Sequence, residues 1–368
     1  MAVELHKTLS DMLDNYVLAW EERNSRKGER MICEKHPEWT PLTPEELSRI
    51  DRRDRWGYTV FKNMAPAGCD VSLFAAEALS MCRIVPMLNP QNHRRTSLGF
   101  DCIFADKNYH DTFMPELRFP KTVIRRVAGV FYDDAFAPIS PERALELLER
   151  HDAAVFKQTV ETGHGTGIRR MTRGEYDGAF RTFADDYIVQ ELVRQHPCLA
   201  RYNESSVNVI RITTLFWRGD VYILGGILRV GAPGAFCDHL NNENGQNYLT
   251  IPLAEDGTII PRPVDIVDYR VYSDCRGIPI EGAIPGYGRM KELVRQAHYR
   301  YPYFGLIGWD VTVGEDGEPV FIEFNTKYPG LTGSQCALGP IFGQKSVRGV
   351  PLIQELRQAV AESAGGKK

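Results

Sequence analysis

The stretch Leu306-Ile307-Gly308-Trp309-Asp310-Val311-Thr312-Val313, then Gly314-Glu315-Asp316-Gly317-Glu318-Pro319, then Val320-Phe321-Ile322-Glu323-Phe324-Asn325 decides how this chain is read. Two apolar, β-branched and aromatic runs flank a polar link containing glycine, which is the pattern of a β-hairpin. Asp316-Gly317 favours a two-residue turn of the primed type. With that turn Glu315 faces Glu318, and counting back sets Asp310 opposite Glu323, with Asn325 on the same face two residues on. Carboxylates facing each other across a ribbon repel, so the pattern asks for a cation, and an all-oxygen donor set suits Mg²⁺ or Mn²⁺ rather than zinc. A solvated sheet face with incidental acids is the alternative, and the interleaved Trp309, Phe321, Ile322 and Phe324 argue against it.

A second hairpin lies upstream, from Val207 to Phe216 and from Val221 to Val230, with a turn at Arg218-Gly219-Asp220. A three-residue loop centred on Gly219 makes Arg211 and Arg229 diagonal neighbours on one face, a guanidinium pair suited to phosphate or carboxylate. A two-residue turn would separate them. Pairing of the arginines with acids on a neighbouring strand is the plainer alternative. Strict alternation puts Asn208 on the face opposite Arg211, so a shared role needs a bulge or a position ahead of the strand.

Further upstream, the strand-like Ala153-Ala154-Val155-Phe156-Lys157-Gln158 runs into Thr162-Gly163-His164-Gly165-Thr166-Gly167. No helix begins directly on these glycines and the chain has no G-x-x-x-x-G-K-[ST], so the loop reads as a flap between two strands, with an ordinary hairpin turn as the alternative. Lys157, placed in an apolar strand, needs an anion to offset the burial of its ammonium. His164 at the flap tip reads as a solvent-exposed turn residue or a phosphate contact.

The rest of the chain sets bounds. It has 368 residues, 43% hydrophobic and 25% charged, a folding composition with room for two or three packed units. A net charge of -4 provides no overall field toward nucleic acid or anionic lipid. Glu4 and Asp11 interrupt any signal-peptide core, and no apolar run approaches the roughly 20 residues of a membrane span, so a cytoplasmic protein without membrane or nucleic-acid partners is expected. Eight cysteines without a C-x-x-C pair read as free thiols. Leu5, Leu9, Leu13, Tyr16 and Val17 repeat at helical spacing, and Thr43-Pro44-Glu45-Glu46 is a capped helix start. Arg49, Arg52, Arg53 and Arg55, mixed with Asp51 and Asp54, form a solvated helix face. Helices are expected over Pro141 to Arg150, Arg173 to Ala184 and Arg289 to Arg300, among short strands. This α+β texture favours antiparallel sheets with helices packed on them.

Taken in order, Asp106-Lys107 with Phe119-Pro120-Lys121, Phe156 to Gly167, Tyr187-Ile188-Val189-Gln190-Glu191 with Gln195-His196-Pro197, Ser206 to Arg211, Arg229 to Asp238, and Gly308-Trp309-Asp310 with Ile322-Glu323-Phe324-Asn325 resemble an ATP-grasp enzyme of the sugar-transfer associated group. The resemblance covers about residues 100 to 340. It implies an α+β ATP-grasp fold, two lobes closing on ATP, preceded by a mainly helical region. The divisions expected are 1–98 for that region, 99–190 for the small lobe with its flap, 191–363 for the large lobe, and 364–368 as a disordered tail. For ATP it implies Lys121, Lys157, Gly163, His164, Gly165, Gly167, Gln190, Glu191, Leu192 and His196. For Mg²⁺ or Mn²⁺ it implies Asp310, Glu323 and Asn325, and for catalysis Arg211, Arg229, Asn208 and Lys327. Gln158 replaces a proline that often follows the family's lysine, and Lys327 stands where many of its ligases carry another residue. The implied activity is ADP-forming ligation of a carboxylate to an amine through an acyl phosphate, on a sugar acid or an amino acid. A phosphotransferase acting on a hydroxyl and a non-catalytic nucleotide-binding module are the alternatives. Neither the substrates nor the oligomeric state can be read from these residues.

Overall fold

A computed structural model describes residues 16, 19–20, 23–50, 57–76, 79–89, 100–159, 167–237, 246–326, 329–347 and 349–365. Two antiparallel sheets carry the fold. The smaller contains β1 (Thr122–Val127), β2 (Val130–Tyr132), β3 (Pro138–Ile139), β4 (Ala153–Gln158), β5 (Ile168–Thr172) and β6 (Tyr187–Glu191), in the order β3-β2-β1-β6-β4-β5. The larger contains β7 (Val209–Trp217), β8 (Asp220–Val230), β9 (Leu249–Pro252), β10 (Val264–Asp265), β11 (Arg270–Val271), β12 (Leu306–Val313) and β13 (Pro319–Asn325), in the order β11-β10-β9-β8-β7-β12-β13. The α+β class expected from the sequence is what forms.

Helices cover the sheets where their apolar stripes demand it. The helices used below are α1 (Pro44–Arg49), α2 (Tyr58–Met64), α3 (Val85–Leu88), α4 (Pro141–Leu148), α5 (Tyr287–Arg300), α6 (Leu331–Leu338) and α7 (Leu352–Gly365). In α5, Tyr287, Met290, Leu293, Val294, Ala297 and His298 recur at helical spacing and are buried against β7 and β8. Helix α1 starts on the expected capping box: Thr43 Oγ1 accepts from the Glu46 N–H at 3.2 Å, and Glu46 accepts from the Thr43 N–H at 2.7 Å. Arg49, half exposed, pairs with Glu45 at 2.5 Å, while positions 51–56 lie outside the described residues.

The amino-terminal region shares its core with the larger sheet: Tyr58, Val60, Phe61 and Met64 of α2 pack with Ile227, Val264, Cys336 and Ala337. The Leu5, Leu9, Leu13 and Val17 repeat lies outside the described residues. Arg173 to Ala184 forms only short helical turns, Arg173–Glu175 and Tyr176–Ala179, because a Gly at 174 and another at 178 weaken a longer helix. Helix α7 extends to Gly365, two residues into the expected tail, and the last three residues are outside the described set. Cys33, Cys69, Cys198, Cys237, Cys275 and Cys336 are free thiols. Among the described residues no helix is long and apolar enough to cross a membrane.

Both site-forming hairpins differ from expectation by one residue at the turn. The β7–β8 link is a two-residue turn, Trp217 pairing with Asp220, where a three-residue loop was expected. A bulge at Leu224, between the pairs Thr213↔Gly225 and Thr214↔Ile223, then shifts the register by one residue and returns Arg211 and Arg229 to diagonal positions. In the β12–β13 hairpin the error has the opposite sense. Gly314 bonds Glu318 and the Gly317 N–H closes onto the Gly314 carbonyl at 2.9 Å, so the loop has three residues and Glu315 does not face Glu318. Gly317 takes the left-handed conformation (φ 83°) that ends such a loop. A bulge at Ile322 compensates, and Asp310 pairs with Glu323.

Candidate ATP and acceptor site

The strand β7 is the axis of the site. On it Arg211 lies opposite Asp310 of β12 and Ile227 of β8, with Arg229 diagonal to it. Arg211 Nε and Nη2 grip Asp310 Oδ1 and Oδ2 at 2.5 and 2.7 Å, and its Nη1 donates to the Pro329 carbonyl at 2.8 Å. Arg229 Nη2 reaches Asp310 Oδ1 at 2.9 Å. The three side chains are at least nine-tenths buried, a setting in which charged groups persist only when paired. The two arginines therefore meet an acid on a neighbouring strand, the plainer of the two readings above, and converge on one point.

Asn325 continues the line. Its Nδ2 donates to Asp310 Oδ2 at 3.2 Å and to Glu323 Oε1 at 3.3 Å, so the amide stands between the two carboxylates where a cation would sit. Which way an amide points is assigned from its neighbours, and turning this one by half a rotation presents Oδ1 instead. With Asn325 in place, three hydrogen bonds and the Arg229 ion pair occupy the four lone-pair positions of Asp310, two on each oxygen. Rotation of Asn325 frees one of them. The donor set fits Mg²⁺ in composition: two carboxylates and an amide oxygen. Among the described residues no three His, Cys, Asp or Glu side chains converge, and Asn325 is the neighbour that offers a third protein oxygen beside Asp310 and Glu323.

Two lysines approach as well, Lys107 from the helical turn Lys107–Tyr109 and Lys157 from the smaller sheet. Lys107 Nζ lies 3.8 Å from Glu323 Oε2. Lys157 on β4 is only 8% exposed and, among the described residues, forms no hydrogen bond and no direct ion pair. Burial pushes its pKa down to about 8; Glu323 opposes that shift and Lys107 adds to it. Among the described residues, the side chains Lys157, Lys107, Arg211 and Arg229 with Asp310 and Glu323 set four cations against two carboxylates. Lys107 was quoted in the Asp106-Lys107 segment but assigned no role. Its approach to Glu323 spans more than 200 positions and has no local signature.

Other expected residues are placed differently. Gly167 closes the base of the β4–β5 link, its carbonyl accepting from the Gln158 N–H at 2.8 Å, a pairing common to a flap and an ordinary hairpin turn; Gly163, His164 and Gly165 lie outside the described residues. Gln190 and Glu191 end β6: Gln190 Nε2 donates to the Pro120 carbonyl at 3.2 Å, and the Glu191 N–H donates to the Lys121 carbonyl at 2.9 Å. Leu192 follows, partly exposed. The Lys121 side chain is 69% exposed and pairs with Glu191 at 3.4 Å, so it does not join Lys107 and Lys157. His196 caps the helical turn Pro197–Ala200 through Nδ1. Asn208 is not brought to the arginines. It precedes β7, and its amide donates to Gln195 Oε1 and to the carbonyls of Leu199 and Asn203 at 2.8 to 3.1 Å. Lys327 lies outside the described residues.

Helix α6 begins beside this cluster. A Cβ on Gly330, its N-cap (φ 75°), would stand 2.8 Å from Arg211 Nη1, so only glycine allows the chain to pass so close to the guanidinium.

Residues 179–347 match the family model described as sugar-transfer associated ATP-grasp. No curated protein matches the chain. Among solved structures it is similar to D-alanyl-alanine synthetase A from Vibrio cholerae O1 biovar eltor, at 12% identity over 70% of this chain and 65% of that one, with a TM-score of 0.42. It is also similar to the D-Ala:D-Ser ligase VanG from Enterococcus faecalis, at 14% identity over 70% and 62% with a TM-score of 0.42. A biotin carboxylase in a βγ-ATP complex from Campylobacter jejuni is similar at 14% identity over 70% and 46%, again with a TM-score of 0.42. The chain spans less than two thirds of the length of each. The segment 179–347, which holds Arg211, Arg229, Asp310, Glu323, Asn325 and helix α6, is thus the part of the chain that is similar to the sugar-transfer associated ATP-grasp family.

Proposed function

We propose that the chain is an ATP-dependent, ADP-forming ligase that joins a carboxylate to an amine. The observation that carries this reading is Lys157: a buried ammonium that forms no hydrogen bond among the described residues, beside Lys107 and in a cluster of four cations and two carboxylates. An ATP polyphosphate would supply negative charge and acceptor oxygens to this cluster. Adenine fits at the end of β6, where Glu191 and Leu192 turn out of the sheet.

Asp310, Glu323 and Asn325 would hold Mg²⁺, with the Asn325 amide rotated to offer its oxygen. Bound there, the metal supplies neutralising charge to the transferring phosphoryl group. The remaining work falls to the chain. Among the described residues Arg211 keeps one N–H free on each terminal nitrogen after its bonds to Asp310 and Pro329, and these can follow charge from the phosphoryl oxygens to the activated carboxylate. The backbone N–H groups at the start of α6, next to Arg211, offer further donors to an oxyanion. A carboxylate becomes an electrophile only when one oxygen is made a leaving group, so phosphorylation precedes attack by the amine.

The test is ADP release scored across pairs of carboxylates and amines, with hydroxylamine as a trap. A hydroxamate formed only with a carboxylate present supports the ligase. A phosphorylated hydroxyl product that survives hydroxylamine would identify a phosphotransferase, and ATP binding without turnover would identify a non-catalytic module.

A further inference from the structure

The strand that carries Glu323 and Asn325 leaves the sheet where a residue from the amino-terminal region enters it. Strand β13 pairs with β12 only as far as Gly308↔Asn325. Two residues earlier on β12, both Leu306 backbone groups are bonded by one side chain: the Leu306 N–H donates to Asn89 Oδ1 at 2.9 Å, and Asn89 Nδ2 donates to the Leu306 carbonyl at 2.7 Å. The second hydrogen on Asn89 Nδ2 goes to the Thr326 carbonyl at 2.6 Å, one residue beyond Asn325. The amide thus takes the place of a strand residue, closing a two-way ladder pair with β12 while holding the departing chain.

Asn89 is fully buried, and one N–H and two carbonyls face it, so the reversed amide would set its oxygen against two acceptors. Neighbouring bonds hold the segment in place. The Gly305 N–H donates to the Leu88 carbonyl at 2.9 Å, and the Asn89 N–H closes α3 onto Val85 at 2.8 Å. A second amide clasp joins the same region to α6: Gln335 Oε1 accepts from the Ala75 N–H at 2.9 Å, and its Nε2 donates to the Ala75 carbonyl at 2.8 Å.

We propose that Asn89 is a positioning residue for the metal strand: it fixes where β13 leaves the sheet and so sets the Asn325 side chain between Asp310 and Glu323. The amino-terminal region is on this account a working part of the site. The proposal rests on Asn325 being a metal ligand. Loss of the amide would leave Leu306 with two unpaired buried backbone groups and Thr326 without this bond, and the exit of β13 would relax.

The experiment measures Mn²⁺ binding by electron paramagnetic resonance on the full chain with a non-hydrolysable ATP analogue, and metal-free analogue binding by calorimetry. Asn89→Ala should weaken Mn²⁺ by about tenfold or more and leave metal-free nucleotide affinity unchanged. Asn89→Ser, whose hydroxyl still bonds one partner, should show a smaller loss in the same direction and serves if the alanine variant does not fold. Leu356→Ala, which removes packing from the amino-terminal core without touching the amide, should keep wild-type Mn²⁺ affinity. Wild-type Mn²⁺ affinity in both Asn89 variants, or an equal loss in Leu356→Ala, would overturn the proposal. Asp310→Asn and Glu323→Gln separate the two levels: if they also keep wild-type Mn²⁺ affinity, the metal reading itself fails.

Discussion

The two cationic groups that face each other across the site are built differently. Arg211 and Arg229 are already engaged, sharing Asp310 through bonds of 2.5 to 2.9 Å in a buried triad. Lys157 is equally buried yet, among the described residues, has no direct bond, and Lys107 lies 3.8 Å from Glu323. The arginines, always charged and forked, suit a fixed geometry that does not depend on ligand. The lysines suit an anion that comes and goes. A site that must bind and release ATP while keeping its chemistry in register has reason to divide its cations in this way.

If the difference is real, removing Asp310 should do the most damage. Asp310→Asn leaves two guanidiniums buried without their counter-charge, so stability should fall by about 3–5 kcal/mol and turnover by orders of magnitude, read by thermal melting and ADP release. Glu323→Gln should reduce Mg²⁺-dependent turnover by a similar factor with little change in melting temperature, because Glu323 is partly exposed and only loosely paired. Equal stability losses in the two variants would erase the distinction between the arginine and lysine halves.

Lys157→Met comes next. ATP affinity should weaken by about 2–5 kcal/mol while the protein becomes no less stable, since methionine fills the volume without a buried charge. Unchanged affinity by calorimetry would remove Lys157 from the site. Arg211→Lys should keep ATP binding and lose most of kcat, because an ammonium cannot reproduce the fork on Asp310 while also reaching Pro329. A loss confined to KM would move Arg211 to ground-state binding. The smallest effect belongs to the turn. Gly317→Ala, at φ 83° with open space around it, should cost about 1–2 kcal/mol of stability and leave turnover intact, because the Ile322 bulge sets the register at Asp310.

Much of this was legible in the sequence, partly through offsetting errors. Asp310 opposite Glu323 and Arg211 diagonal to Arg229 were both reached by counting from turns whose lengths were misjudged by one residue. Bulges at Ile322 and Leu224 restored the pairings. Side-chain alternation fixes which residues share a face, and a bulge can change that count without a clear mark in the local sequence. Asn208 was the case in which alternation gave the better guide: it does face away. Lys121, exposed and one residue ahead of β1, pairs with Glu191 and not with the lysine cluster. Lys107 beside Glu323 and Asn89 beside Leu306 and Thr326 are contacts over more than 200 positions, which periodicity and turn signals do not encode.

The central claim is that Lys157 awaits the ATP phosphates, and its titration tests it most directly. Its ordinary pKa of 10.5 is lowered to about 8 in the free protein, so below pH 8 the lysine is charged, and its buried charge costs stability that is recovered as pH rises from 8 toward 10.5. Phosphate favours the charged form, so ATP binding above pH 8 must take up a proton. Calorimetry of ATP binding in buffers of different ionisation enthalpy, from pH 7 to 9.5, should show affinity falling by up to about tenfold per pH unit above 8, with proton uptake approaching one per ATP. Lys157→Met should lose both the slope and the uptake. Wild-type protein with pH-independent ATP affinity over this range and no proton uptake would contradict the account.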